Sequence, residues 1–409
     1  MPQRPLVRLL AGPGPSGALA IRDHLLSALA GGPAIGLVPP ASPALEAAVN
    51  MAITPDTPLE SDDIVAVLPT SGSTGTPRGV LHTAETLFTA AEAAQQRLGG
   101  PARWLLALSP VHAGGFMVLV RSIADGRGLV MAMPEANRFD LDYFVSVVKE
   151  ETSGRRPVRA SLVPTQVRDI VTAGHIDTLA RLDAVLIGAA ATPPDLLEAL
   201  RVAGVKVYST YGMTETAGGV VWNGEPLPGV TVSVDSATSG PGVISISGPT
   251  VALGYRGRPD LTAGQFTTTG GVRTFTTSDL GSITAGSGLA PVHLTITGRV
   301  DDVVQVAGTS VSLKAVEAVL QVHPALVDAA IVGLDDNRLG TLVVAVVVTL
   351  DEIDADELST LLRAHVTDSL GRQAAPREVV VVDALPMLES GKVDRQALQA
   401  LAVAAITTE

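Results

Sequence analysis

No cysteine occurs in the 409 residues. That excludes a disulfide framework, a thiolate metal site and a covalent cysteine mechanism, and it fits a reducing compartment. Basic charge is also in short supply. The formal net charge of −13 disfavours a nucleic-acid surface and gives no long-range attraction for anionic ligands, so any anion has to be held by local groups. Long apolar runs are missing too. The most apolar stretch, "TLVVAVVVTL" (Thr341 to Leu350), is far too short to span a bilayer as a helix, and its valines read as a buried strand. Near the N-terminus a short apolar patch is broken by Arg8 before a signal-like core is complete. The expectation is a cytoplasmic protein without a membrane span. No internal repeat stands out.

What is present is a chain with 46% hydrophobic residues, enough to bury more than one core, so two domains are expected. From Asp63 onward, short apolar runs ("DIVAVLP", "RWLLAL", "GLVMAM", "RASLVP", "DAVLIGAA", "VKVYST") alternate with helical patterns, which indicates an α/β architecture with substantial parallel pairing. In one unit Thr192 is placed to cap a helix, Pro193 to fill its first turn and Gly204 to end it. Ligands in such sheets sit at the carboxyl ends of strands. From about 224 to 297 the texture becomes short strands rich in Gly, Pro, Ser and Thr, a β-rich subdomain. Beyond Arg299 a hairpin, helices and strands form a smaller α+β unit. The expected division is 1–300 and 301–409.

The stretch "LPTSGSTGTPRGVLHT" (Leu68 to Thr83) is the first candidate site. After the strand ending at Leu68-Pro69, the residues Thr70, Ser71, Gly72, Ser73, Thr74 and Gly75 offer hydroxyl donors, with glycines that let backbone amides converge, a composition suited to phosphate oxygens. It lacks the Gly-Lys-Ser/Thr of a Walker loop and is not the dinucleotide fingerprint. Taken alone, such a turn is more often only a connector.

Four further motifs follow in order: "STYGMTET" (Ser209 to Thr216), "TSDLG" (Thr277 to Gly281), "GRVDD" (Gly298 to Asp302) and "ESGKVDR" (Glu389 to Arg395). With the first loop they resemble the adenylate-forming superfamily of acyl- and aryl-CoA synthetases, peptide-synthetase adenylation domains and luciferases, over nearly the whole chain after its first sixty residues. The resemblance implies a large N-terminal domain and a small mobile C-terminal one. It also implies ATP, Mg²⁺ and coenzyme A as cofactors and co-substrates, and a carboxylate joined to AMP and then passed to a thiol. A homodimer is common among such relatives.

By the same resemblance, Ser71 to Gly75 cradle the triphosphate, Glu215 holds Mg²⁺, Thr214 donates to the α-phosphate and Tyr211 lies against adenine beside Gly212. Gly188, Ala189 and Ala190, after the strand "DAVLI", form the adenine and acyl-site wall, to which Gly212 also belongs. Asp279 accepts from the ribose hydroxyls, with Arg299 as a second ribose contact. Lys392 is the catalytic lysine, Asp301 the hinge, and Gly308 lies where pantetheine passes. Each has a plainer alternative: a solvated carboxylate for Glu215, a core aromatic for Tyr211, an Asx turn for Asp279, a strand exit of small residues for Gly188 to Ala190, and a surface lysine for Lys392. Two departures stand out: Arg78 where lysine is common, and Ala307 where thiol-using members often carry glycine.

The segment Trp104 to Ile123, with its His-x-x-Gly pattern before an apolar helix, is similar to that of the bacterial o-succinylbenzoyl-CoA synthetase group of menaquinone biosynthesis, as is the linker "VVWNGEPLPGV". That similarity implies a dicarboxylic aromatic acid as substrate and makes His112 a candidate for its site. A second carboxylate needs a cation. Arg121, Arg159 and Arg168 are candidates, each with a surface salt bridge as its alternative. Other functions remain open at this stage: another aryl- or acyl-CoA ligase, an adenylation enzyme loading a carrier protein, or a binding homologue without catalysis.

Overall fold

The computed structural model describes residues 4–10, 12, 14–40, 43–70, 77–134, 139–235, 241–284, 292–336, 338–388 and 393–407. Ser71, Gly72, Ser73, Thr74, Gly75 and Lys392 lie outside the described residues. The fold is mixed α/β and divides into two compact units. One comprises 1–233, 245–277 and 284–294, and the other 234–244, 278–283 and 295–409.

The first unit opens with a sheet of strands β1 (Leu6–Leu10), β2 (Ala34–Val38), β3 (Ile64–Thr70) and β4 (Arg78–Thr83), in that order. Helices α1 (Gly14–Leu29) and α2 (Pro43–Ile53) connect its first three strands. β1, β2 and β3 are parallel, whereas β4 returns antiparallel to β3 with Thr70 opposite Arg78. The candidate phosphate loop therefore joins two strands of a hairpin. β4 is buried along nearly its whole length, so it lacks the polar alternation by which half-exposed strands are read. Its other edge is also bound: Leu81 donates to Gly254 O at 3.0 Å and accepts from Leu253 N at 3.0 Å.

After helix α3 (Ala84–Arg97), a second sheet contains β5 (Arg103–Leu106), β6 (Leu129–Met131), β7 (Val158–Leu162), β8 (Ala184–Ile187), β9 (Val207–Met213), β10 (Gly218–Trp222) and β11 (Glu225–Pro226). Its order is β11-β10-β9-β8-β7-β5-β6. β5 to β9 are parallel and are linked by α4 (Ala113–Asp125), α5 (Leu141–Glu151), α6 (Pro164–Thr172), α7 (Ile176–Ala180) and α8 (Pro194–Val202). The direction of winding reverses between β5 and β7, and crevices for ligands open at the carboxyl ends of strands at such a point. Leu105, Phe144, Val148, Ile170, Leu179 and Val185 belong to the core of this layer. α8 corrects the capping expectation. Pro193, not Thr192, is its cap residue, and the Thr192 hydroxyl is buried without a partner. Gly204 ends the helix as expected, at φ +77° with Val205 N bonded to Leu200 O.

The division between the units falls within β12 (Thr231–Asp235), β13 (Gly242–Ser247) and β15 (Val272–Thr284). In the first unit, α9 (Pro259–Gln265) leads into β14 (Phe266–Thr269), which pairs antiparallel with the start of β15. The second unit holds the later part of β15 beside most of β16 (His293–Arg299), and then β17 (Val303–Val306), β18 (Thr309–Ser312), α10 (Leu313–Gln321), β19 (Leu326–Asp336), β20 (Gly340–Thr349), α11 (Ala355–Leu370), β21 (Glu378–Val381) and α12 (Arg395–Thr407). β20 is central, with β19 antiparallel on one side and β17 and β21 on the other. Its Val343, Ala345 and Val347 join Val316, Leu320, Leu358 and Leu362 in one core. The expected hairpin after Arg299 is β17–β18, closed by Ala307 and Gly308 at φ +50° and +79°. A two-residue turn with both φ positive favours glycine, which gives "AG" a conformational role of its own.

Candidate functional site

Three segments at the carboxyl edge of the parallel strands carry candidates. After β5 comes His112, the N-terminal cap of α4, half-buried and without a side-chain capping bond. After β8 come Gly188, Ala189 and Ala190, the two alanines exposed. A Cβ on Gly188 would lie 2.4 Å from Thr210 Oγ1, so a larger residue there would have to move that hydroxyl from its bond to Ile187 O. Ala189 has φ +70°, a conformation alanine adopts at a cost of about 1–2 kcal/mol, and strain of this kind gathers at functional sites. After β9 comes the turn Thr214–Thr216, with Tyr211 half-buried on the strand and Gly212 pressed against β10. A Cβ on Gly212 would meet Gly218 O at 2.1 Å.

The Thr214–Thr216 turn is tied down on several sides. Ala252 N donates to Glu215 O at 2.9 Å, the Thr216 hydroxyl lies 2.9 Å from Gly218 O, and Met213 N donates to that hydroxyl at 3.0 Å. The turn exits through Ala217 at φ +56°. Glu215 is buried, and its Oε1 accepts from the Tyr255 hydroxyl at 2.9 Å. That hydroxyl also lies 3.0 Å from Gln265 Oε1, to which Arg78 Nη1 donates at 3.3 Å. Arg78 stacks over the Tyr255 ring, its Cζ 5.3 Å from the centroid, a cation–π arrangement. Burial, and then the adjacent Glu215 carboxylate, push the Tyr255 pKa well above its usual value, so the hydroxyl remains a donor. Arg78 thus has a function that its position in the loop motif did not disclose: it links the end of the loop through Tyr255 to Glu215. Tyr255 itself carried no signal in the sequence beyond strand-like texture.

A second missed residue is His82 on β4. It is fully buried, with Nε2 2.8 Å from Thr214 O and Nδ1 3.2 Å from Thr86 Oγ1. Burial above all lowers its pKa from 6.5 to about 4, helped by the positive charge of Arg273 and opposed by the bond to Thr214. The imidazole is neutral at physiological pH. A carbonyl can only accept, so the ring proton sits on Nε2.

Beside Tyr255, Arg256 is 4% exposed and its guanidinium reaches Ile53 O, Thr54 O, Thr57 O, Pro58 O and Glu60 Oε2 at 2.6 to 3.0 Å. It satisfies the carbonyls at the end of α2, and its own N–H donates to Gly79 O at 2.7 Å, which fixes the level of Tyr255 against β4.

The three arginines considered for a second carboxylate separate clearly. Arg159 gives its two terminal nitrogens to Gly100 O and Leu98 O, both at 2.8 Å, closing the end of α3. Arg168 is exposed. Arg121 is buried, its Cζ 5.4 Å from the Trp104 ring of β5 and its Nη1 3.5 Å from Ser161 Oγ of β7, while its Nε has no hydrogen-bond partner. Burial lowers its pKa to about 10, partly offset by Asp125, so it is still a cation at neutral pH. From α4 it reaches onto the two paired strands at which the sheet reverses its winding.

In the second unit Asp279 sits in mid-strand on β15, which rules out the Asx turn, and accepts from Arg299 Nη1 at 2.9 Å. The two expected ribose contacts are therefore neighbours. Asp301 lies in the turn Val300–Asp302 between β16 and β17. The chain on either side of the Lys392 segment is anchored: Met387 pairs with Val393, and Asp394 N donates to Pro386 O at 2.8 Å. Arg395 bonds to Glu317 Oε2 at 2.9 Å and Ile331 O at 2.8 Å, while buried Glu317 also pairs with Lys314.

Among the described residues no group of three or more His, Asp or Glu could hold a metal ion, and no helix is long and apolar enough to cross a membrane. A Mg²⁺ ion in the first unit would take Glu215 as its protein ligand beside phosphate and water oxygens, a donor set that suits a hard cation.

Adenylate-forming chemistry is the class these features describe. The AMP-binding enzyme model matches residues 25–256 and the AMP-binding enzyme C-terminal domain model matches 315–392. The chain belongs to the AMP-binding enzyme family. It is 43% identical to a "Probable 2-succinylbenzoate--CoA ligase" of Mycobacterium tuberculosis, over 82% of this chain and 84% of that one. It is 30% identical to a sulfoacetate–CoA ligase of Cupriavidus necator, over 93% and 76%. Among solved structures, the Bacillus subtilis o-succinylbenzoate CoA synthetase in complex with the acyl-adenylate intermediate OSB-AMP has a TM-score of 0.72 at 21% identity, covering 97% of this chain and 88% of the other. This last likeness concerns the fold.

Proposed function

We propose that the protein is an ATP-dependent acid–CoA ligase that converts o-succinylbenzoate to its CoA thioester, as in menaquinone biosynthesis. The observation that carries the reading is the Thr214–Glu215 turn, held at the carboxyl edge of the parallel sheet with its carboxylate oriented by Tyr255. In the first half-reaction a substrate carboxylate oxygen attacks the α-phosphorus of ATP and pyrophosphate leaves. In the second a thiolate attacks the acyl carbon and AMP leaves. Positioning and charge neutralisation dominate such chemistry.

The loop from Thr70 to Gly75 cradles the departing pyrophosphate in this reading, and Thr214 donates to the α-phosphate. Bound Mg²⁺ would neutralise charge on the phosphate oxygens. Tyr211 and the Gly188 to Ala190 segment flank adenine, with Gly188, Gly212 and His112 towards the acid. Asp279 and Arg299 hold the ribose, and Lys392 contacts the attacking carboxylate and phosphate. Asp301 provides the hinge, and Gly308 lines the thiol's path. Arg121 favours an acid with a second anionic group, which is also the property shared by the named substrates of the two relatives. ATP and CoA as co-substrates fit a cytoplasmic enzyme.

A pyrophosphate-release screen over carboxylic acids, with and without CoA, tests the reading. Preference for o-succinylbenzoate with CoA-dependent thioester formation is the expected result. Preference for fatty or amino acids, or transfer only to a carrier protein, would overturn it.

A further inference from the structure

We propose that His82 is a positioning residue for adenylate formation: from the strand that leaves the phosphate-loop hairpin it holds the Thr214 carbonyl, and so fixes the turn presenting the Thr214 hydroxyl and Glu215 carboxylate. The inference rests on the reading of that turn as the contact with MgATP.

Four observations support it. His82 is fully buried and neutral, so its Nε2 proton is committed to the carbonyl at 2.8 Å and does not exchange roles with a second tautomer. Its Nδ1 faces the hydroxyl of Thr86, which lies 2.9 Å from Thr83 O and accepts from Thr83 N at 3.1 Å, so one imidazole ties β4, the first turn of α3 and the Thr214 turn together. The adjacent Leu81 N–H does not serve the turn, being given to Gly254 O. The turn itself carries a positive φ at Ala217, a conformation that persists only where the surroundings over-determine it.

The arrangement explains why a side chain, and this one, is used. The Thr214 carbonyl already accepts from Ala217 N at 3.2 Å within the turn, and the ring reaches it on a second lone pair from across the layer. A shift of the turn would displace two contacts to MgATP at once, whereas the thioester step starts from an adenylate that keeps the α-phosphate contact of Thr214 but no longer has the pyrophosphate whose charge Glu215 and the metal offset. His82 is therefore expected to matter more for the first half-reaction than for the second.

The experiment compares His82→Leu, which removes the donor, with His82→Gln, whose amide nitrogen reaches about as far as Nε2. Pyrophosphate release is measured for kcat and for KM of MgATP, and thioester formation is followed separately from saturating supplied acyl-adenylate. His82→Leu is expected to lower kcat/KM for adenylation by about tenfold or more, the scale of one well-placed hydrogen bond. Thioester formation stays within about twofold, and His82→Gln recovers most of the adenylation rate. If His82→Leu does not fold, His82→Asn, whose amide ends near the Nδ1 position, replaces it with the same expectation. Equal losses in both half-reactions, an unchanged adenylation rate, or a Gln variant no better than Leu or Asn would overturn the proposal. Calorimetric titration with MgATP separates it from the functional reading. If the unsubstituted protein binds MgATP but activates no acid, the functional reading fails, and His82 is then judged on whether MgATP binds about tenfold more weakly to the Leu variant and not to the Gln variant. Equal affinity in all three proteins would refute it.

Discussion

Acidification from pH 7 to pH 4 is expected to destabilise the first unit by more than its carboxylates account for, because His82 is neutral in the folded chain and takes up a proton on unfolding. Its pKa falls from 6.5 to about 4 on folding. Between those values the unfolded chain binds more protons than the folded one, so stability declines as pH falls through this window and is unaffected by His82 above it. At about 1.4 kcal/mol per unit, the difference amounts to about 3 kcal/mol, a large share of the roughly 5–15 kcal/mol typical of a whole domain. The chain contains two tryptophans. Both, Trp104 and Trp222, are buried in the first unit, so their fluorescence follows that unit alone during urea unfolding. The measurement is the unfolding free energy at stepped pH for the unsubstituted protein and for His82→Gln, which cannot titrate. Their difference should change by about 3 kcal/mol between pH 7 and pH 4. A difference that does not vary with pH would refute the argument that burial holds the imidazole neutral.

Three further outcomes follow from the sites described. Tyr255→Phe keeps the ring beneath Arg78 but removes the donor to Glu215. A hydrogen bond to a charged group is worth about 1.5–3 kcal/mol, so adenylation at limiting Mg²⁺ should fall by at least about tenfold, and a rate within twofold of the parent, about the error of the assay, would show the bond to be incidental. Lys392→Ala should abolish pyrophosphate release while sparing thioester formation from a supplied adenylate. Equal loss in both steps would overturn the assignment of the lysine to the first alone. Arg121→Met should raise KM for o-succinylbenzoate but not for benzoate. Unaltered KM for the dicarboxylate would exclude this arginine from the acid site.

The parallel sheet was legible because its strands are short apolar runs separated by amphipathic helices, and Gly204 marks a helix end at positive φ as its position suggests. The hairpin β3–β4 was not. Its second strand is buried on both faces, and Gly and Pro before it look the same whether a strand or a helix follows. Motif order brought out Glu215, Asp279 and Arg299, and the structure adds that the last two are bonded to each other. Tyr255, His82 and Arg256 escaped because their significance comes from distant partners. Tyr255 meets Glu215 forty residues away, and His82 meets Thr214 across 132 positions. The buried Arg256 answers carbonyls some two hundred residues earlier. A single sequence carries no local pattern for such pairings.

The hairpin also bears on how such an enzyme can change. β4 is held on one side by β3 and on the other by Leu253 to Tyr255, so its register does not depend on the length of the loop between Thr70 and Arg78. A residue gained or lost there would not slip the strand and turn its side chains over. His82 would stay beneath the Thr214 turn. The alignment of His82 with the Thr214 turn accordingly belongs to the paired strands and not to the segment that joins them.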